Sequence, residues 1–189
     1  SPGILSFSGS ATVRPNNNQL SSKNWKVGAS GGYSVNATKY TYSAMLATIK
    51  NITPITRLSD ITVSGFYSYS GDLTIDAINK LPNLKANSMQ ITLFVSGNVY
   101  IKTSIDIFGN VASKSSLSII SAKNIGISTA VKDSTNGVVD GIYIADGVID
   151  TACNSTFSFT QCAPGAPAFD ASSLTLEGMF LGRSGFNLD

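Results

Sequence analysis

Three aspartates at even spacing are the side chains with the clearest capacity for chemistry. They are Asp140, Asp146 and Asp150, and on one continuous strand they would face the same side. Two carboxylates can cleave a glycosidic bond, and the same three residues form a weaker candidate for a calcium site. Because Gly141 and Gly147 interrupt the run, we expect these aspartates to be turn-forming residues and not catalytic ones.

The absence of histidine excludes several classes of active site. With no His in the chain, Ser-His-Asp and Cys-His nucleophilic sites and imidazole ligation of a metal are ruled out. No P-loop motif occurs either. The single Glu, Glu177, is out of phase with Leu174 and Leu176 and is predicted to face solvent. We therefore expect a protein that is not an enzyme and has no catalytic residue, cofactor or metal.

Two cysteines, Cys153 and Cys162, lie close together in the sequence. Without His and without a CxxC pair, a zinc site is disfavoured and a short local disulfide is predicted. Closing so small a loop would contribute somewhat under ~3 kcal/mol. A disulfide indicates an oxidising compartment, and we therefore expect an extracellular or cell-surface location.

Aromatic side chains supply the candidate ligand-binding residues. Phe66, Tyr67 and Tyr69 cluster with Ser and Gly. Aromatic platforms bind sugars and protein partners, so these three residues form a candidate ligand platform. A place in the core is the alternative for each of them.

The elements that would position these residues recur along the chain. Five segments share a turn residue followed by an apolar–x–apolar strand, and the turn residues are spaced 26, 26, 23 and 31 apart. Such a recurrence is typical of solenoids, in which each strand pairs in parallel with its copy in the next repeat. The turn residues are predicted to stack as a column at one corner. They are Asp72, Asn98, Asn124, Gly147 and Gly178.

One strand and one helix are predicted before the repeats. An alternating segment indicates a half-buried strand, which could pair with a sheet edge of its own chain or of a neighbouring subunit. The residues of this candidate partner strand are Leu5, Phe7, Ala11 and Val13. A short helix is predicted over 42–50, with Met45, Ile49 and Ile52 on one face. Both elements are expected to cap the open ends of the solenoid.

Composition and charge narrow the partners. The chain has 13 Lys and Arg against 11 Asp and Glu, for a net charge of +2. Because the cations are scattered, we expect no nucleic-acid partner. No apolar run approaches 18 residues, so no membrane span is predicted.

Four segments of the chain share a strand-and-turn pattern, namely YSGDLTI at 69–75, LFVSGNV at 93–99, GIYIADG at 141–147 and LTLEG at 174–178. They resemble a family of largely uncharacterised secreted proteins from candidate-phylum (Patescibacteria-type) bacteria. The resemblance covers roughly residues 42–189. It implies an extracellular β-helical surface protein of undefined activity, and it carries over no catalytic residues.

These features together predict an all-β fold, a parallel β-solenoid (β-helix) of about five rungs with an N-terminal strand and one short capping helix. Residues 1–55 would hold the strand, a flexible loop and the helix. Residues 56–189 would form the solenoid, with a disulfide-pinned insertion near 151–170. The predicted function is a non-catalytic extracellular structural protein, either a filament- or pilus-like subunit or an adhesive surface module. A glycan-binding module and a polysaccharide-cleaving enzyme are the alternatives, and the expected partners are another copy of the chain, another cell-surface protein or a glycan.

Overall fold

Two parallel β-sheets are the main structure of the described residues, and the computed structural model describes residues 4–7, 12–13, 26–28, 40–107, 114–128, 131, 137–153 and 174–188. The described strands are, in chain order, β1 (Ile4–Phe7), β2 (Thr12–Val13), β3 (Lys26–Gly28), β4 (Thr53–Ile55), β5 (Gly65–Tyr69), β6 (Leu73–Ile75), β7 (Gln90–Val95), β8 (Val99–Ile101), β9 (Ser116–Ser121), β10 (Ile125–Ser128), β11 (Gly137–Ala145), β12 (Val148–Cys153), β13 (Leu174–Gly182) and β14 (Gly185–Leu188). The described helices are α1 (Tyr42–Leu46), α2 (Leu84–Asn87) and a 3-10 helix at Leu58–Asp60.

The two sheets are built from alternate strands of the chain. Sheet A has eight strands in the order β3-β1-β13-β11-β9-β7-β5-β4, and sheet B has six in the order β2-β14-β12-β10-β8-β6. From β5 to β14, each successive strand passes to the other sheet and pairs in parallel with the strand two places later. Because the chain returns to the same sheet after each pair of strands, the sequence shows a regular recurrence.

The apolar residues of both sheets share one core. Side chains alternate in direction along a strand, so the apolar–x–apolar pattern sends every second residue inward. Leu73, Val99 and Ile125 are in register on adjacent strands of sheet B and are fully buried. Leu93 and Ile119 occupy matching positions in sheet A. Each such side chain contributes roughly 1.5–3 kcal/mol of hydrophobic stabilisation.

The predicted all-β solenoid of about five rungs is wrong for this structure. The described residues form two all-parallel sheets with few helices, an α/β-like arrangement in which no closed solenoid is seen. One passage from sheet B to sheet A holds α2, and another contributes only an isolated bridge between Ile105 and Val139. The recurrence of the sequence therefore reflects two sheets that share a core.

Helix α1 lies on the outer face of sheet A, so the predicted capping helix is wrong in position as well as longer than the observed one. It ends at Leu46, and the apolar residues of 42–52 pack on an outward-facing cluster of sheet A. The cluster consists of Phe94, Ile120, Ile144 and Leu181. These residues make the sheet apolar on both faces at this position, and covering them with a helix removes that surface from water.

A different element covers the core beside β4 and β6. Leu58 of the 3-10 helix and Ile61 are buried in the main core, and the Leu58 N–H donates to Oδ1 of Asn79 at 3.3 Å. The Nδ2 of Asn79 donates to the carbonyl oxygen of Thr74 in β6 at 2.8 Å. Pro54, in the edge strand β4, has no N–H to offer another strand. This end of both sheets is therefore protected against further strand pairing.

The N-terminal strands extend the opposite end of each sheet. Strand β1 pairs with β13, and β2 pairs with β14, both in parallel. Residues from 1–55 and from 56–189, the two predicted parts of the chain, thus share each sheet. Strand β12 reaches into the predicted insertion near 151–170 as far as Cys153, and the rest of that insertion lies outside the described residues.

Candidate binding surface

A column of hydrogen-bonded turn residues precedes the strands of sheet B. Oδ1 of Asp72 accepts the backbone N–H of Asn98 at 2.7 Å. Oδ1 of Asn98 accepts the backbone N–H of Asn124 at 3.3 Å, and Oδ1 of Asn124 accepts that of Val148 at 2.8 Å. Each side chain therefore satisfies a backbone donor of the next turn, which links the turns and fixes their register.

Two of the five predicted column positions need correction. The residue that follows Asn124 in the column is Val148 and not Gly147, because the Val148 N–H, 24 residues after Asn124, donates to the Asn124 side chain. Gly147 lies beside Asn124, and a Cβ at this position would collide with the Oδ1 atom of that side chain. Gly178 belongs to sheet A, where it is in register with Gly141 inside strand β13. The short turn-like sequence before Gly178 resembles the column residues, but it forms part of a nine-residue strand.

The three aspartates do not form a common site. Asp140 is buried in β11, where its Oδ2 accepts the Ile107 N–H at 2.9 Å, and Asp150 is buried in β12 of the other sheet. The prediction that these two residues form turns is therefore wrong. Asp146 lies in the turn between β11 and β12, and its Oδ1 accepts the Tyr42 N–H of α1 at 3.0 Å. Asp140 and Asp146 thus accept hydrogen bonds from backbone donors, which is a structural role.

The predicted aromatic platform is divided between the two faces of sheet A. Phe66 is 42% exposed on the outer face. Tyr67 is only 4% exposed, and its hydroxyl donates to the Val63 carbonyl oxygen at 2.8 Å. Tyr69 is partly buried and packs against the main core. Only Phe66 of the three is an exposed aromatic, because successive residues of a strand alternate in direction.

The candidate partner strand pairs within its own chain. Leu5 is in register with Phe180, Phe7 with Gly182, and Val13 with Leu188, whereas Ala11 lies outside the described residues. Pairing with a neighbouring subunit stays a prediction. The disulfide stays a prediction too, because Cys162 lies outside the part of the chain that the structure describes.

A row of exposed and half-buried side chains crosses the outer face of sheet A. It is called the outer row and consists of Phe66, Thr92, Ser118, Ile142 and Met179, which are in register on β5, β7, β9, β11 and β13. None of these side chains carries a charge. Phe66, Ile142 and Met179 are 42%, 38% and 40% exposed, which is high for large apolar residues. Four strand spacings give the row a length of about 19 Å.

Helix α1 and the residues after it border the outer row on one side. The apolar cluster beneath α1 lies two residues further along each strand than the outer row, a distance of about 7 Å. Tyr42 contacts Phe94 edge to face, with ring centroids 6.0 Å apart, and burial raises the pKa of Tyr42. On the other side of the row, Gln90 and Ser116 are exposed and uncharged, and the exposed carboxylate of Glu177 lies two residues before Met179 on the same face of β13. The outer row therefore lies between α1 on one side and exposed polar residues of sheet A on the other.

The outer row has a signal in the sequence that the aromatic grouping misses. In sheet A, one buried inward residue of each strand is in register with its counterparts on the neighbouring strands. The residue immediately before each of these inward residues faces outward and is a member of the outer row. At that position Ile142 and Met179 are apolar where a half-exposed sheet would normally carry a polar residue. The alignment of strands, and not the local clustering of aromatics, identifies the exposed apolar residues.

The described residues hold neither a cluster of metal-ligating side chains nor a membrane-spanning helix. Among the residues that the structure describes, no three His, Cys, Asp or Glu side chains are grouped so that they could hold a metal ion. No helix in the described ranges is long and apolar enough to cross a membrane.

Comparisons of the chain with protein-family models, with curated proteins and with solved structures gave no match.

Proposed function

We propose that this chain is a non-catalytic, extracellular adhesive module that holds its target on the outer row of sheet A. The observation that carries the proposal is the row itself, in which three exposed, large apolar side chains are in register with two half-buried hydroxyl side chains on one sheet. Single exposed apolar residues scattered over a surface are common and need no explanation. Several such residues aligned on one face instead indicate an interaction surface. A parallel sheet with a filled core keeps the spacing of these groups constant.

The placement of the carboxylates supports a role without catalysis. A glycosidase needs two carboxyl groups that flank one bond. Asp140 and Asp150 are buried in different sheets, and Asp146 holds the first N–H of α1. An adhesive function needs none of these groups to be reactive.

The protected edges favour an adhesive module over a filament that grows by strand pairing. Strand addition requires free backbone donors and acceptors at a sheet edge. At the edge of β6, the carbonyl oxygen of Thr74 already accepts a hydrogen bond from Asn79, and Pro54 in β4 has no N–H to donate. A subunit that paired at this end would first have to displace Asn79.

Retention on defined surfaces tests the proposal. Purified chain is passed over cellulose, chitin and methyl-terminated films, with amine and carboxylate films for comparison, and the retained mass is measured. We expect retention on uncharged films that falls several-fold in the double variant Phe66→Ser/Met179→Ser. The matched control is Val63→Ser/Ile78→Ser, which removes two exposed apolar residues elsewhere and should leave retention unchanged.

Two results would contradict the proposal. Equal losses in both double variants would mean that the chain adheres through general surface hydrophobicity. Release of new reducing ends from a polysaccharide by the parent chain would show catalysis, and Asp140→Asn and Asp146→Asn would then locate it.

A further inference from the structure

We propose that the target of the outer row is an uncharged glycan in an extended conformation, whose chain lies across the strands with α1 beside it. This inference rests on the proposed function and names its ligand class. Three properties of the row support this ligand class: its lack of charge, the order of its side chains and its shape.

The lack of charge selects a neutral ligand. The side chains of the outer row are hydroxyl and apolar groups only, and the flanking positions hold Gln90, Ser116 and the exposed carboxylate of Glu177, which would repel an anionic ligand. A ligand with carboxylate or sulfate groups would lose part of its hydration there without meeting an opposite charge in the row. A neutral sugar avoids this cost, since its hydroxyls can exchange hydrogen bonds with Thr92 and Ser118, whose hydroxyls both donate and accept.

The order of side chains matches the two kinds of surface on a sugar. Phe66 lies at one end of the row, Ile142 and Met179 at the other, and Thr92 and Ser118 between them. The C–H faces of sugar rings pack on apolar and aromatic side chains, and the ring edges carry hydroxyls. A chain of several sugars lying along the row would therefore contact apolar side chains at both ends and hydroxyls at its centre.

The shape of the row favours a single polymer chain over a protein partner. A stable protein complex buries about 800 Å² on each partner. The row, about 19 Å long, offers much less than this by itself, and α1 limits the exposed face on one side. In an extended glycan, the length of one sugar is comparable to the strand spacing, so successive sugars meet successive strands. Affinity should then rise with chain length up to the length of the row.

Calorimetry and NMR titration with defined oligosaccharides test this inference. The probes are cellotetraose, chitotetraose and xylotetraose, their disaccharides, and tetragalacturonate as the charged comparison. We expect at least one neutral tetramer to bind at least tenfold more tightly than its disaccharide and than tetragalacturonate. Amide shifts should map to β5, β7, β9, β11 and β13. Phe66→Ser and Met179→Ser should each weaken binding about tenfold, with Ile78→Ser unchanged and the unfolding curve of each variant matching the parent.

The possible outcomes separate this inference from the proposed function. If no neutral tetramer binds at millimolar concentration, or if tetragalacturonate binds as tightly, the ligand class is wrong. Retention on methyl-terminated films that still depends on Phe66 and Met179 would then leave the adhesive function standing. If a tetramer binds but its amide shifts map elsewhere, the glycan site is not the outer row, and this inference fails.

Discussion

Asn98 donates two hydrogen bonds to one oxygen of Asp72, from its backbone nitrogen at 2.7 Å and from Nδ2 at 3.2 Å. The next step repeats the arrangement, because Asn124 donates from its backbone nitrogen at 3.3 Å and from Nδ2 at 3.1 Å to Oδ1 of Asn98. Asn98 is therefore acceptor for one neighbour and donor to the other. A side chain at this position must supply both functions, and Asn supplies them without charge.

Replacing Asn98 with Ala removes three side-chain hydrogen bonds and should lower the free energy of unfolding by about 3 kcal/mol, since each contributes about 1 kcal/mol. The loss includes the acceptor for the Asn124 N–H and the Nδ2 donor to Asp72. Urea unfolding followed by circular dichroism measures the change. The control Asn51→Ala, at an exposed position, should shift the value by less than about 0.5 kcal/mol. Equal effects of the two substitutions would show that the column contributes nothing to stability.

The sequence predicts the column and the inward faces because both depend on local rules. Turn residues with short polar side chains, followed by alternating apolar residues, correctly place Asp72, Asn98 and Asn124. Gly178 has the same local sequence but a long strand around it, so local rules cannot distinguish it from a turn residue. Register between distant strands decides that case.

The position of α1 depends on long-range packing in the same way. Met45, Ile49 and Ile52 show that one face of the segment is apolar, but they do not show which surface it covers. The outward-facing Phe94 and Ile120 hold that information, since each follows an inward apolar residue and breaks the alternation. The outer row is difficult to predict from the sequence for the opposite reason. Its apolar members are exposed, but in the sequence they cannot be distinguished from core residues.

Replacing Gly178 with Ala should destabilise the protein by more than about 3 kcal/mol. Gly178 has φ of +136°, and a Cβ there would overlap the carbonyl oxygen of Gly141 on the adjacent strand. Gly71→Ala is the matched control, because Gly71 also has a positive φ, of +86°, but has no atom within 4 Å of the added Cβ. It should cost only about 1–2 kcal/mol, the penalty of the left-handed conformation alone. Thermal unfolding of both variants separates the collision from the backbone strain.

Replacing Asp146 with Ala should loosen α1 without unfolding the sheets. The Oδ1 of Asp146 accepts the Tyr42 N–H at 3.0 Å, which ties the start of α1 to the turn after β11. We expect hydrogen exchange of the amides in 42–49 to become about tenfold faster, equivalent to about 1.4 kcal/mol. Asp146→Asn keeps an oxygen acceptor and should change the rates much less. If Asp146→Ala leaves exchange in 42–49 unaltered, packing on Phe94 alone holds the helix.

The stability of the protein should fall at alkaline pH because of Tyr143. This residue is fully buried, its hydroxyl donates to the Asp140 carbonyl oxygen at 2.9 Å, and its ring stacks on Phe180. Burial, and secondarily the charge of Asp140, raises the pKa of Tyr143 well above its ordinary value of 10.0. The unfolded chain therefore loses this proton at lower pH than the folded chain. The free energy of unfolding should decline from about pH 10 upward, by at most about 1.4 kcal/mol per pH unit for this residue.

The variant Tyr143→Phe isolates that contribution. At neutral pH it should be about 1 kcal/mol less stable than the parent, because one hydrogen bond is lost. Above pH 10 the difference should shrink, since Phe has no proton to lose in the unfolded chain. Tyr100→Phe is the comparison, because burial and then the charge of Asp72 raise the pKa of Tyr100, but its side chain is only partly buried. Denaturation at several pH values from 8 to 11 gives the free energy of unfolding of each protein. If this free energy falls equally with pH in Tyr143→Phe and in the parent, Tyr143 does not cause the loss of stability at alkaline pH.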